Sequence, residues 1–99
     1  MSADDELIQT TDRAGQRFPE LAELGEPRTR SLIRLVRGVV EDGVKGGATN
    51  PFHLRNAAFA KVKLRSDYDE IRTLLGVEVL LEIIEWLVMW LLALRRRLA

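Results

Sequence analysis

Ninety-nine residues with no cysteine and fifteen acids balanced by fifteen bases make one domain at most, burying roughly two-thirds or less of its unfolded surface. Disulfide staples, thiolate metal sites and cysteine nucleophiles are excluded, and 46% hydrophobic with 30% charged residues is a globular rather than a disordered composition. The charge is laid out unevenly: residues 27–66 carry nine bases against Glu41 and Asp42, between two acidic flanks. Such asymmetry serves an acidic partner or is satisfied inside the fold.

The opening MSADDELIQT lacks the apolar stretch of a secretory signal, so a cytoplasmic location is the expectation, with membrane association as the variant. Residues 1–26 read as an acidic segment and connector. Ser2 is placed to cap a helix with acids in its first turn, but only Leu7 and Ile8 give that helix an apolar side, which predicts a short or frayed element. Gly15, Pro19 and Gly25 then interrupt any long element, and Phe18, Leu21 and Leu24 are expected to lie on something larger.

Residues 27–46 read as a basic amphipathic helix opening at Pro27. Leu32, Leu35, Val36, Val39 and Val40 make its apolar stripe, Arg30, Arg34 and Arg37 stand on the other side, and Gly46 and Gly47 end it. Three arginines spaced i, i+4, i+7 can grip phosphates along a nucleic-acid backbone. A solvated face with Glu41 paired to Lys45 is the commoner reason for the pattern, and no interleaved aromatics are present to stack on bases.

Asn50 and Pro51 supply a cap and a first helical residue for a helix over 51–65, with Phe52 and Phe59 on the same side. Ala60, Val62 and Leu64 alternate with Lys61, Lys63 and Arg65, which is a strand pattern, but one strand finds no partner in this chain. His53 has no carboxylate or imidazole at a spacing that supports metal binding or catalysis.

Residues 67–98 read as one long helix, with Ser66 and Asp69 as a capping-box variant; Gly76 is the single weak point, where a kink or break would let Asp67 to Leu75 fold back as a separate helix, although a lone glycine is tolerated in a helix at about 1 kcal/mol. Its stretch from Val77 to Leu94 dominates the chain. Glu78, Glu82 and Glu85 form a narrow polar stripe, whereas Trp86 to Leu94 is apolar all round, and Arg95, Arg96 and Arg97 close the helix. Eighteen residues with three carboxylates make a poor membrane span. The two preceding helices supply fewer apolar positions than this one needs covered, and large exposed apolar patches are uncommon on monomers.

The expected architecture is therefore all-α, a small bundle of three to four helices with a long hydrophobic C-terminal helix. No phosphate loop, nucleophile elbow or metal-binding motif is present, so no enzyme activity, cofactor, metal or small-molecule substrate is expected. The expected role is non-catalytic assembly, as a homo-oligomer or with an obligate protein partner, through Trp86, Leu87, Met89, Trp90, Leu91 and Leu94. The alternatives are a membrane anchor formed by the same helix, and a nucleic-acid-binding subunit presenting Arg30, Arg34, Arg37, Lys61, Lys63 and Arg65. Glu78, Glu82 and Glu85 can also oppose Arg30, Arg34 and Arg37 to set the register of two helices.

Overall fold

The computed structural model describes residues 2–98 and is all-helical, with no strand among those residues. In chain order it contains α1 (Ala3–Arg17), a 3₁₀ turn (Pro19–Glu23), α2 (Glu26–Lys45), α3 (Pro51–Lys63), α4 (Tyr68–Leu75) and α5 (Val77–Leu98). Five α-helices replace the expected three or four, and the differences lie at the two ends of the chain.

At the first end, α1 is neither short nor frayed: it runs 15 residues, straight through Gly15. The Ser2 hydroxyl accepts from the Asp5 N–H, and the Asp5 carboxylate accepts from the Ser2 N–H, a full capping box. Leu7, Thr10 and Ala14 are buried on one face, spaced as a helix requires. Gly15 is exposed, and a helical glycine costs only about 1 kcal/mol relative to alanine, so packing of that face outweighs it. Pro19 stops the helix by forcing Phe18 towards an extended conformation (φ −128°, ψ 82°).

At the other end, Gly76 divides the expected long helix in two. Its φ of +81° and ψ of 152° lie in a region essentially reserved for glycine. The Gly76 N–H donates to the Arg72 carbonyl (2.8 Å) and its own carbonyl accepts from the Leu80 N–H (3.0 Å), so one residue closes α4 and opens α5. Gly25 takes the same φ and ψ where the 3₁₀ turn meets α2. The expected capping box at Ser66 and Asp69 does not form; Asp67 is the N-cap of α4 and makes no side-chain capping bond, its carboxylate being held by Arg65.

The segment 58–65 is helical to Lys63 and then turns. Leu54, Ala58 and Val62 recur every four residues on the buried face, while Leu64 points outward at 84% exposure, so the strand-like alternation has no structural counterpart. Phe52 and Phe59 also part company: Phe59 packs edge-on against Tyr68 (6.4 Å), and Phe52 is exposed.

α5 packs against α1, α2 and α3 and against α4 at its start. Leu80, Ile83, Ile84, Leu87, Val88 and Leu91 are completely buried, each worth about 1.5–3 kcal/mol relative to an exposed side chain. The cover that α2 and α3 lack comes from the N-terminal third, through Leu7, Ala14, Phe18, Leu21 and Leu24. Ile71 and Leu75 of α4 complete the core. Among the described residues no helix is long and apolar enough to cross a membrane.

Candidate interaction surface

α5 reaches the surface along one edge, where Glu78, Glu82, Glu85, Met89 and Arg96 are exposed. Intervals of four, three, four and seven residues keep these five side chains on one stripe. Of the six residues expected to form an interface, Leu87, Leu91 and Leu94 are not on it: they are buried in the chain's own core and reach no partner unless the fold opens. Met89 is on it, 49% exposed.

Trp86 and Trp90 are half-buried and flank the stripe. Their rings stack at 5.5 Å with 11° between planes, Phe18 meets Trp86 edge-on at 6.1 Å, and the Trp90 indole N–H donates to the Thr10 hydroxyl. These contacts turn both tryptophans towards α1. Beside them lies an open groove of about 390 Å³ lined by Arg17, Phe18, Glu82, Glu85, Trp86 and Met89. The Arg17 guanidinium lies over the Phe18 ring, 4.7 Å from its centroid.

On the α3 side of the stripe, Arg55 pairs with Glu85 (3.5 Å) and lies 5.2 Å from the centroid of Phe52, which is 62% exposed. Arg17, Phe18 and Phe52 thus border a surface that the sequence placed on α5 alone. The only signal for them was composition: an aromatic next to a cation in Arg17–Phe18, and an aromatic just inside the Asn50 cap.

Of the six cations expected to meet an anionic partner, Arg30, Arg37 and Arg65 are engaged within the chain. Arg37 is no open-face residue: it pairs with Glu6 (3.0 Å) and Glu41 (3.1 Å). Arg65 makes a two-pronged pair with Asp67 (2.8 and 3.0 Å) and donates to the Ser31 hydroxyl (2.9 Å). That hydrogen bonding raises the Arg65 pKa and holds the Asp67 carboxyl below the usual carboxylate range. Arg30 pairs with Glu26 one turn earlier. Arg34, Lys61 and Lys63 are exposed, and Lys63 lies over the Phe59 ring at 4.8 Å. Within one chain, Arg37 and Glu85 of the two sets of three take other partners instead of each other.

A second polar cluster joins three helices. Glu6 of α1 and Glu41 of α2 are both held by Arg37 of α2 and Arg95 of α5, and Glu6 is buried. Alternating charges at 2.9–3.4 Å make this a structural clasp, each ion answered by two of opposite sign. His53 is exposed, and among the described residues no three His, Asp or Glu side chains are grouped to hold a metal ion.

Comparison with known proteins finds no matching family, no matching curated protein and no matching solved structure.

Proposed function

We propose that the chain is a small non-catalytic assembly protein that joins a protein surface, first of all that of its own kind, through the uncovered edge of α5. The observation that carries this reading is Met89, half-exposed on a helix whose other large apolar residues are almost all covered, with a groove lined by Phe18 and Trp86 beside it. Methionine beside an aromatic cluster suits an adaptable contact, since its unbranched thioether fits irregular surfaces and favours aromatic neighbours. Acidic and basic side chains around an apolar centre are the usual layout of a protein interface.

The test is light scattering after size exclusion in detergent-free buffer, with the protein taken up to about 1 mM, the weak end of the affinity scale. The expected outcome is a mass above the monomer that rises with concentration and returns to the monomer in Met89→Glu. A wild-type chain that stays monomeric throughout overturns self-assembly.

A further inference from the structure

We infer that the exposed edge of α5 is an isologous dimer seam, in which the α5 helices of two copies run antiparallel with Met89 on the two-fold axis. The inference rests on the preceding reading and specifies its geometry.

The stripe has a symmetry of its own. Glu82 lies seven residues before Met89 and Arg96 seven residues after it. Two turns either way, about 10.5 Å at 1.5 Å per residue, keep all three on one edge, and all three are exposed. Among the described residues neither Glu82 nor Arg96 has an ion-pair partner, whereas Glu85 has Arg55, and Arg95 has Glu6 and Glu41. Among the described residues the edge thus carries an anion without an ion-pair partner on one side of Met89 and a cation without one at the same distance on the other.

A two-fold axis through Met89 sets residue 89 − n against residue 89 + n of the second copy. Glu82 then meets Arg96 of the second copy, Arg96 meets its Glu82, and Met89 meets Met89. Glu85 faces Ala93, a small side chain that leaves the pair with Arg55 undisturbed. Two-fold symmetry makes the Glu82–Arg96 contact twice, as isologous interfaces do for every pair off the axis. Parallel helices in register would instead set Glu82 against Glu82 and Arg96 against Arg96, which charge repulsion opposes. The half-buried Trp86 on one flank and the exposed Phe52 on the other offer apolar surface beside the axis. A second copy is the occupant because this one stripe carries both halves of the charge pattern.

The experiment compares dimerisation of the full chain with Glu82→Arg, Arg96→Glu and the double exchange, by sedimentation equilibrium at low salt. All substituted side chains are exposed, and circular dichroism checks that each variant is folded. Each single variant places like charges at both ends of the seam and is expected to raise Kd about tenfold or more. The double exchange restores the pattern with signs reversed and is expected to return Kd to within about threefold of wild type. An equimolar mixture of the two single variants is expected to form a 1:1 heterodimer. If wild type dimerises but the single variants dimerise equally well, or the double exchange is no better than they are, the seam is wrong while assembly stands. A monomeric wild type overturns both.

Discussion

Trp90 and Thr10 stand eighty residues apart in sequence and are joined by a 3.1 Å hydrogen bond from the indole N–H to the hydroxyl. Thr10 is completely buried, so the bond pins α1 to the C-terminal half of α5. It makes the N-terminal helix part of the core.

Trp90→Phe keeps an aromatic ring beside Trp86 but removes the donor. Leaving a buried hydroxyl without its partner costs about 1–3 kcal/mol, and the smaller ring adds a packing loss. Urea denaturation is expected to show a lower midpoint with an unchanged slope, the mark of lost stability without a change in the surface exposed on unfolding.

Glu6 is the buried member of the four-ion clasp. Glu6→Gln leaves Arg37 and Arg95 sharing Glu41 alone and is expected to destabilise the chain by about 1–3 kcal/mol. Thermal unfolding measures it. In a double-mutant cycle Glu6→Gln and Arg95→Met are expected to be non-additive, because they remove parts of one network.

Two glycines in α2 are expected to respond with opposite sign. A Cβ on Gly38 meets open space, whereas one on Gly43 runs into Cδ2 of Leu54, a side chain only 3% exposed. Gly38→Ala is expected to stabilise by about 0.5–1 kcal/mol through helix propensity. Gly43→Ala forces α2 and α3 apart or Leu54 out of its rotamer and is expected to cost about 1–3 kcal/mol. Chemical denaturation of the two variants side by side decides it.

Asp67 carries a pH-dependent share of stability. Hydrogen bonds from Arg65 depress its pKa in the folded chain, while the unfolded carboxyl titrates near its ordinary value of about 3.9. The contribution is therefore complete above that value and is lost as pH falls below it through the folded pKa. Asp67→Asn is expected to be less stable than wild type by about 1 kcal/mol at neutral pH. The difference should shrink as acid unfolding is followed below about pH 4.

The sequence announced the helical class and most of its punctuation: Ser2, Pro27, the Gly46–Gly47 pair and Asn50 all act at helix ends as their chemistry dictates. It was less informative about α1, because Leu7, Thr10 and Ala14 form an apolar face only if a threonine and an alanine count towards it. Thr10 is bonded to Trp90, which no local window contains. The same long-range pairing explains why α5 seemed to lack cover. For the candidate interaction surface, Trp86, Met89 and Trp90 were legible as apolar residues on α5. Which side of the helix stays wet is decided by where α1 and α3 lie, and so by contacts across the chain. Arg37 illustrates the limit: on its own helix it looks outward, and only the approach of Glu6 draws it in.

Gly76 has a bearing on the size of the molecule. An unbroken helix from Tyr68 to Leu98 would be about 46 Å long at 1.5 Å per residue, and the longest dimension of the folded chain is 37 Å. The reversal at this one residue lays α4 beside the 3₁₀ turn and keeps Ile71 and Leu75 in the same core as α5. A side chain at position 76 disfavours that backbone and favours the straight rod. One residue without a side chain thus lets α4 and α5 bury their apolar faces in one another's company rather than end to end.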